Sequence, residues 1–155
     1  MQNIVSKLLI GVAITSVGMY GADNLAGTWQ YNAAKSKFTG ANPVTSQTDV
    51  RETTPDGGAK LTRTAKLKDG NAVNYSFNFK YDGKQYPVAG GPYDTVSVKQ
   101  IDANTTSYVT NKTGGKYHMT GKQVVSKDGR TLTQTAKGTD ANGKSVTSTS
   151  VFDKQ

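Results

Sequence analysis

Arg63 stands in the run Leu61-Thr62-Arg63-Thr64-Ala65 and is one of only three arginines in the chain. In an extended strand, residues two apart share a face, so the guanidinium points toward whatever buries Leu61 and Ala65. A cation inside an apolar interior is costly unless paired. What it can do there is hold an anion: a carboxylate of the chain, the head of a bound molecule, or water near a rim. A second candidate is the stripe Tyr75, Phe77, Phe79 and Tyr81, which alternates with Asn74, Ser76, Asn78 and Lys80. Rings on one face pack as core or line an apolar site, and the two end tyrosines can offer hydroxyls at a mouth.

Groups that make or break bonds are sparse. His118 is the only histidine, and beside Tyr117, Met119, Thr120 and Lys122 its place in the alternation directs it to solvent. The 11 acids sit mostly at turns, where Asp serves backbone geometry rather than acid-base chemistry. No serine or threonine occupies a nucleophile elbow. Gly57-Gly58, Gly90-Gly91 and Gly114-Gly115 precede strands rather than helices, so none forms a phosphate cradle. With no cysteine, disulfides and thiolate metal sites are excluded. The expectation is a protein that is not an enzyme, with no cofactor and no metal.

The elements that would position these side chains are strands. Asp56-Gly57, Asp69-Gly70, Asp82-Gly83, Gly114-Gly115, Asp128-Gly129 and Asn142-Gly143 recur at intervals of one strand plus one turn. Such pairs accept the positive backbone angles of tight hairpins. Between them lie alternating segments rich in Thr, Val, Tyr and Phe. Inner-face candidates are Val73 beside the stripe, then Val96 and Val98, Tyr117 and Met119, Leu132 and Ala136, and Val146 and Phe152. The spacing predicts about nine or ten antiparallel strands in an all-β, single up-and-down β-barrel. A sandwich with Greek-key crossings is the alternative, but it needs longer connections than the two irregular pieces at residues 33–45 and 85–93.

Residues 1–22 carry Lys7 and then the apolar run Leu8-Leu9-Ile10-Gly11-Val12-Ala13-Ile14, followed by small residues to Ala22. This pattern reads as a cleavable signal peptide. The run is well short of the roughly 20 residues of a membrane span. Residues 23–155 form the expected single domain, without a transmembrane span and exported to the periplasm or medium. Net charge is +8, carried by 16 Lys and 3 Arg against 11 acids. The lysines are spread over turns and strand exteriors, which suits weak electrostatic association with anionic envelope surfaces. Scarce arginine argues against specific nucleic-acid binding. The chain is lean in apolar side chains at 34%, so its core must be thin or partly polar.

At the start of this series stands Leu25-Ala26-Gly27-Thr28-Trp29. In that position it resembles the first strand of the lipocalin and fatty-acid-binding-protein (calycin) superfamily. The resemblance implies that Trp29 plugs one end of a lipocalin-like barrel beneath a ligand cavity. Three stretches extend it to a group of exported bacterial lipocalin-like proteins of unassigned function: residues 32–38, Tyr81-Asp82-Gly83-Lys84-Gln85-Tyr86-Pro87-Val88, and residues 125–129 with 137–140. That group implies a fold and an envelope location, and no reaction. The chain also departs from its better-known relatives. Intracellular fatty-acid-binding proteins grip a carboxylate with Arg-x-Tyr on the last strand, where this chain has Ser150-Val151-Phe152. Their helical lid has no counterpart either, because Gly40 and Pro43 stop a helix in the short interval available.

The expected function is binding of a small hydrophobic or amphipathic molecule by a monomeric barrel. Trp29 is expected as floor, with Arg63, Tyr75, Phe77, Phe79, Tyr81, Tyr117, Met119 and Phe152 around the ligand. The alternative is an envelope-associated interaction module with a filled barrel, using the loop Gly90-Gly91-Pro92-Tyr93 and the basic exterior.

Overall fold

The computed structural model describes residues 24–155, and the signal segment expected at residues 1–22 lies outside the described residues. Eleven strands follow in order: β1 (Gly27–Tyr31), β2 (Lys37–Phe38), β3 (Val44–Thr53), β4 (Ala59–Leu67), β5 (Ala72–Phe79), β6 (Asp82–Pro87), β7 (Thr95–Gln100), β8 (Thr105–Asn111), β9 (His118–Val125), β10 (Thr131–Thr139) and β11 (Ser145–Lys154). One 3-10 turn, Ala33–Lys35, is capped by the Asn32 side chain. The strands form one sheet in the order β5-β4-β3-β1-β11-β10-β9-β8-β7-β6, with β2 added beside β11. Every pairing is antiparallel. Apart from the two-residue β2, the count agrees with the strand number expected from the turns.

The sheet curls into a nearly closed barrel. β1 and β11 close one side, with Trp29 opposite Lys154 and Tyr31 opposite Phe152. β5 and β6 come together on the other side with no ladder between them among the described residues. The chain reverses there at Lys80 and Tyr81 instead of at the expected Asp82-Gly83 hairpin. Gly83, at φ 78°, sits in the irregular stretch of β6 between Asp82 and Gln85. An edge strand tolerates this because it has no partner to match on that side. Residues 85–93, expected to be irregular, are strand as far as Pro87. The interval 33–43 carries no lid: Thr39 N–H donates to the Thr147 carbonyl at 3.1 Å and ties the segment to β11.

Inward faces follow the alternation. In β5, Tyr75, Phe77 and Phe79 are buried while Asn74, Ser76 and Asn78 are exposed. Aspartates close the turns with their own backbones. Asp69, Asp102, Asp128 and Asp140 each accept the N–H two residues on, at 2.8–3.1 Å. The interior divides into two apolar clusters. Leu25, Trp29, Val125, Leu132 and Phe152 pack one end. A larger group built on Leu61, Tyr75, Phe77, Phe79, Tyr93, Val96, Val98 and Tyr108 lines the body of the barrel, and Tyr81 packs against both.

Candidate binding cavity

Within the larger cluster the barrel holds a cavity of about 210 Å³. It opens beside Phe38, which is 40% exposed and lines it together with Asn42 and Val44. β3 shapes one wall through three alternating polar side chains, Gln47, Asp49 and Arg51, all buried. Their phase is set by the register with β4, which places Asp49 opposite Arg63 and Arg51 opposite Leu61.

The partner that Arg63 requires is therefore Asp49. Arg63 donates from Nη2 to Asp49 Oδ2 at 2.6 Å and from Nε to Oδ1 at 2.8 Å, and Gln47 Nε2 donates to the same Oδ1 at 3.0 Å. Burial opposes charge on Arg63, but the Asp49 carboxylate outweighs it and holds the guanidinium well above its ordinary value. Arg63 Nη1 also donates to the Tyr75 hydroxyl at 3.3 Å, which shares a hydrogen bond of 2.9 Å with the Tyr93 hydroxyl. Burial pushes the Tyr93 hydroxyl well above the usual phenol range, so at ordinary pH it is a neutral member of this network.

A second network runs from Arg51 on β3 across to β8, β9 and β10. Arg51 Nη2 and Thr106 Oγ1 both donate to Gln123 Oε1, at 3.3 and 3.2 Å. Gln123 Nε2 donates to Gln134 Oε1 at 3.1 Å, and Gln134 Nε2 to the Tyr108 hydroxyl at 2.9 Å. Burial raises the Tyr108 hydroxyl to about 12, against the opposing effect of its bond from Gln134. Gly121 makes room for that ring: a Cβ there would lie 2.6 Å from the Tyr108 hydroxyl and 2.1 Å from the Thr135 carbonyl oxygen. Apolar lining comes from Leu61, Phe77, Phe79, Val96, Val98 and Met119.

The residues singled out in the sequence divide cleanly. Arg63, Phe77, Phe79, Tyr117 and Met119 line the cavity. Trp29 and Phe152 do not; they pack in the floor cluster, where Trp29 is 1% exposed, its Nε1 donates to the Leu25 carbonyl at 2.8 Å, and Lys154 Nζ lies 5.1 Å from its ring centre. Tyr75 is not among the lining residues either; its hydroxyl bonds to Arg63 and Tyr93, which are. Tyr81 lies half-buried below, its ring edge-on to Phe79 at 5.3 Å between centres. The loop residue Tyr93 is buried and stacks on Tyr117 at 5.9 Å, so it belongs to the cavity and offers no surface for a partner. Arg51, Tyr108, Gln123 and Gln134 were not anticipated. A signal for them existed in the spacing Gln47-x-Asp49-x-Arg51, but Val50 between them favours the opposite phase.

His118 is exposed and bonded through Nδ1 to Asn111 Oδ1. Among the described residues no group of three or more His, Cys, Asp or Glu could hold a metal ion, and no helix is long and apolar enough to cross a membrane. What the cavity's geometry can do is hold a small molecule.

An antiparallel barrel with a plugged floor, a partly polar cavity and one unladdered seam is the calycin type of fold. No family model and no curated sequence matches the chain. Solved structures match across most of it. Fluorescent protein UnaG covers 85% of this chain and 98% of its own at 11% identity, with a TM-score of 0.56. The protein EF1p2_mFAP2b bound to DFHBI covers 85% and 94% at 10% identity, with a TM-score of 0.52. Zebrafish ileal bile acid-binding protein complexed with cholic acid covers 85% and 99% at 13% identity, with a TM-score of 0.50. At these identities the likeness establishes the fold.

Proposed function

We propose that the protein is a non-enzymatic, exported binding protein that holds a small amphipathic molecule inside its barrel. The observation that carries this reading is the interior cavity, in which apolar walls converge with a few placed polar groups. A filled barrel acting only through its surface lacks that support, since the interior is open and Tyr93 is turned inward. Two proteins of the same fold are bound to small molecules, DFHBI and cholic acid, which supports binding as the use of such an interior. Export rests on the segment 1–22, and the spread of lysines suits a loose association with anionic envelope surfaces.

Native mass spectrometry of protein recovered from its own envelope fraction tests both halves. The expected masses are a chain starting near residue 23 and a second species heavier by one small molecule, with Nile red entering the purified barrel. A single ligand-free mass together with exclusion of Nile red would remove the binding reading, and an intact N-terminus would remove export.

A further inference from the structure

The cavity holds two arginines, and the surrounding chain satisfies only one. Arg63 uses both oxygens of Asp49, the one buried acid among the described residues. Arg51 is 4% exposed, spends Nη2 on the neutral Gln123 amide, and leaves Nε and Nη1 without a hydrogen-bond partner among the described residues. Its guanidinium carbon lies 5.7 Å from the Phe79 ring centre, and Leu61 stands opposite in the β3–β4 register. A buried guanidinium with unused donors is expensive to keep, and a purely apolar occupant would leave that cost in place.

We propose that Arg51 anchors a compact monoanion, a carboxylate carried on a short apolar body; this rests on the binding-barrel reading and names the ligand class for it. Charge sets the monoanion. The two interior cations face one interior carboxylate, so a single negative charge balances the site, whereas a phosphate dianion would leave one buried negative charge uncompensated. Volume suits a short body. At about 30 Å³ for each water-sized group, the 210 Å³ cavity has room within its walls for about seven non-hydrogen atoms. Leu61, Phe77, Phe79 and Val98 receive the body while Arg51 receives the head. The anchor lies on β3, separated from β11 only by β1, and Ser150, at the last-strand position, lines the same cavity without a charge, so the cation with unused donors comes from β3 and not from the last strand.

Isothermal titration calorimetry of the purified protein with pentanoate, its neutral isostere pentanamide and inorganic phosphate tests the assignment. Pentanoate should bind about tenfold more tightly than pentanamide, the gain of one charge-assisted pairing, and phosphate should give no saturable heat. Arg51→Met should abolish the preference for pentanoate, leave pentanamide within about twofold, and melt at the same or a higher temperature without ligand, because it removes an unsatisfied buried charge. Equal binding of pentanoate and pentanamide, retained pentanoate affinity in Arg51→Met, saturable phosphate binding, or a lower melting temperature for that variant would each overturn the proposal. Nile red in the same preparations separates the two readings. Dye entry into a protein that ignores pentanoate removes the anion and leaves the binding barrel, while exclusion of both removes the two together.

Discussion

The floor and the wall of this barrel use burial in opposite ways. In the floor, Leu25, Trp29, Val125, Leu132 and Phe152 pack with a single polar atom among their side chains, the indole N–H, and the Leu25 carbonyl accepts it. In the wall above, Gln47, Asp49, Arg51, Thr106, Thr110 and Gln123 are also buried, yet they are polar, with Gln47 bonded to Asp49 and both Arg51 and Thr106 bonded to Gln123. The floor supplies stability by dry contact. The wall accepts a poorer hydrophobic balance in exchange for a cavity with directional groups, which is where a ligand can be distinguished from solvent.

Three measurements can break or sharpen this contrast. Trp29→Ala empties the centre of the floor and should destabilise the barrel by about 3–5 kcal/mol in urea unfolding. A loss below about 1 kcal/mol would mean that the floor is not the main source of stability. Asp49→Asn keeps the shape of the wall but removes the charge facing Arg63, and should cost about 1.5–3 kcal/mol. The paired replacement Asp49→Leu with Arg63→Met should recover most of that loss, and failure to recover it would show that the ion pair holds the fold and not merely itself.

The smallest effect is on the pH axis. Burial raises the hydroxyls of Tyr93, Tyr108 and Tyr117 above the ordinary value of 10.0, with Tyr108 at about 12. A folded value above the unfolded one gives stability that is complete below pH 10 and is lost as pH climbs through the folded value. Tyrosinate absorbance followed alongside circular dichroism should therefore show these wall tyrosines ionising only as the barrel opens. Their titration near pH 10 with the fold intact would contradict a closed wall.

Legibility in the sequence tracked the same division. β5 was readable because its apolar and polar residues alternate from Val73 to Phe79, and Asp69-Gly70 and Asp128-Gly129 marked reversals through backbone geometry that few other pairs accept. β3 was not, because apolar periodicity assigns the inner face to Val50, whereas the register with β4 turns Asp49 and Arg51 inward. The need of Arg63 for an anion could be read locally, but the identity of that anion came only from strand pairing. Tyr93 looked like a loop residue exposed beside Pro92, and it is buried by rings from β5 and the approach to β9, contacts that no local pattern encodes.

The ladder that sets Trp29 beside Lys154 has a kinetic consequence. It joins the first strand to the last, so the two flanks of the floor, Leu25 and Trp29 on one side and Leu132 and Phe152 on the other, come from opposite ends of the sequence. Hairpins such as β4–β5 and β9–β10 close short loops and can form early, while the longest loop in the molecule must close before the floor exists. Sealing of the base and closure of the hoop should thus be one late step in folding. Until that step a nascent chain has walls and no vessel, with the edges of β1 and β11 still open to strangers.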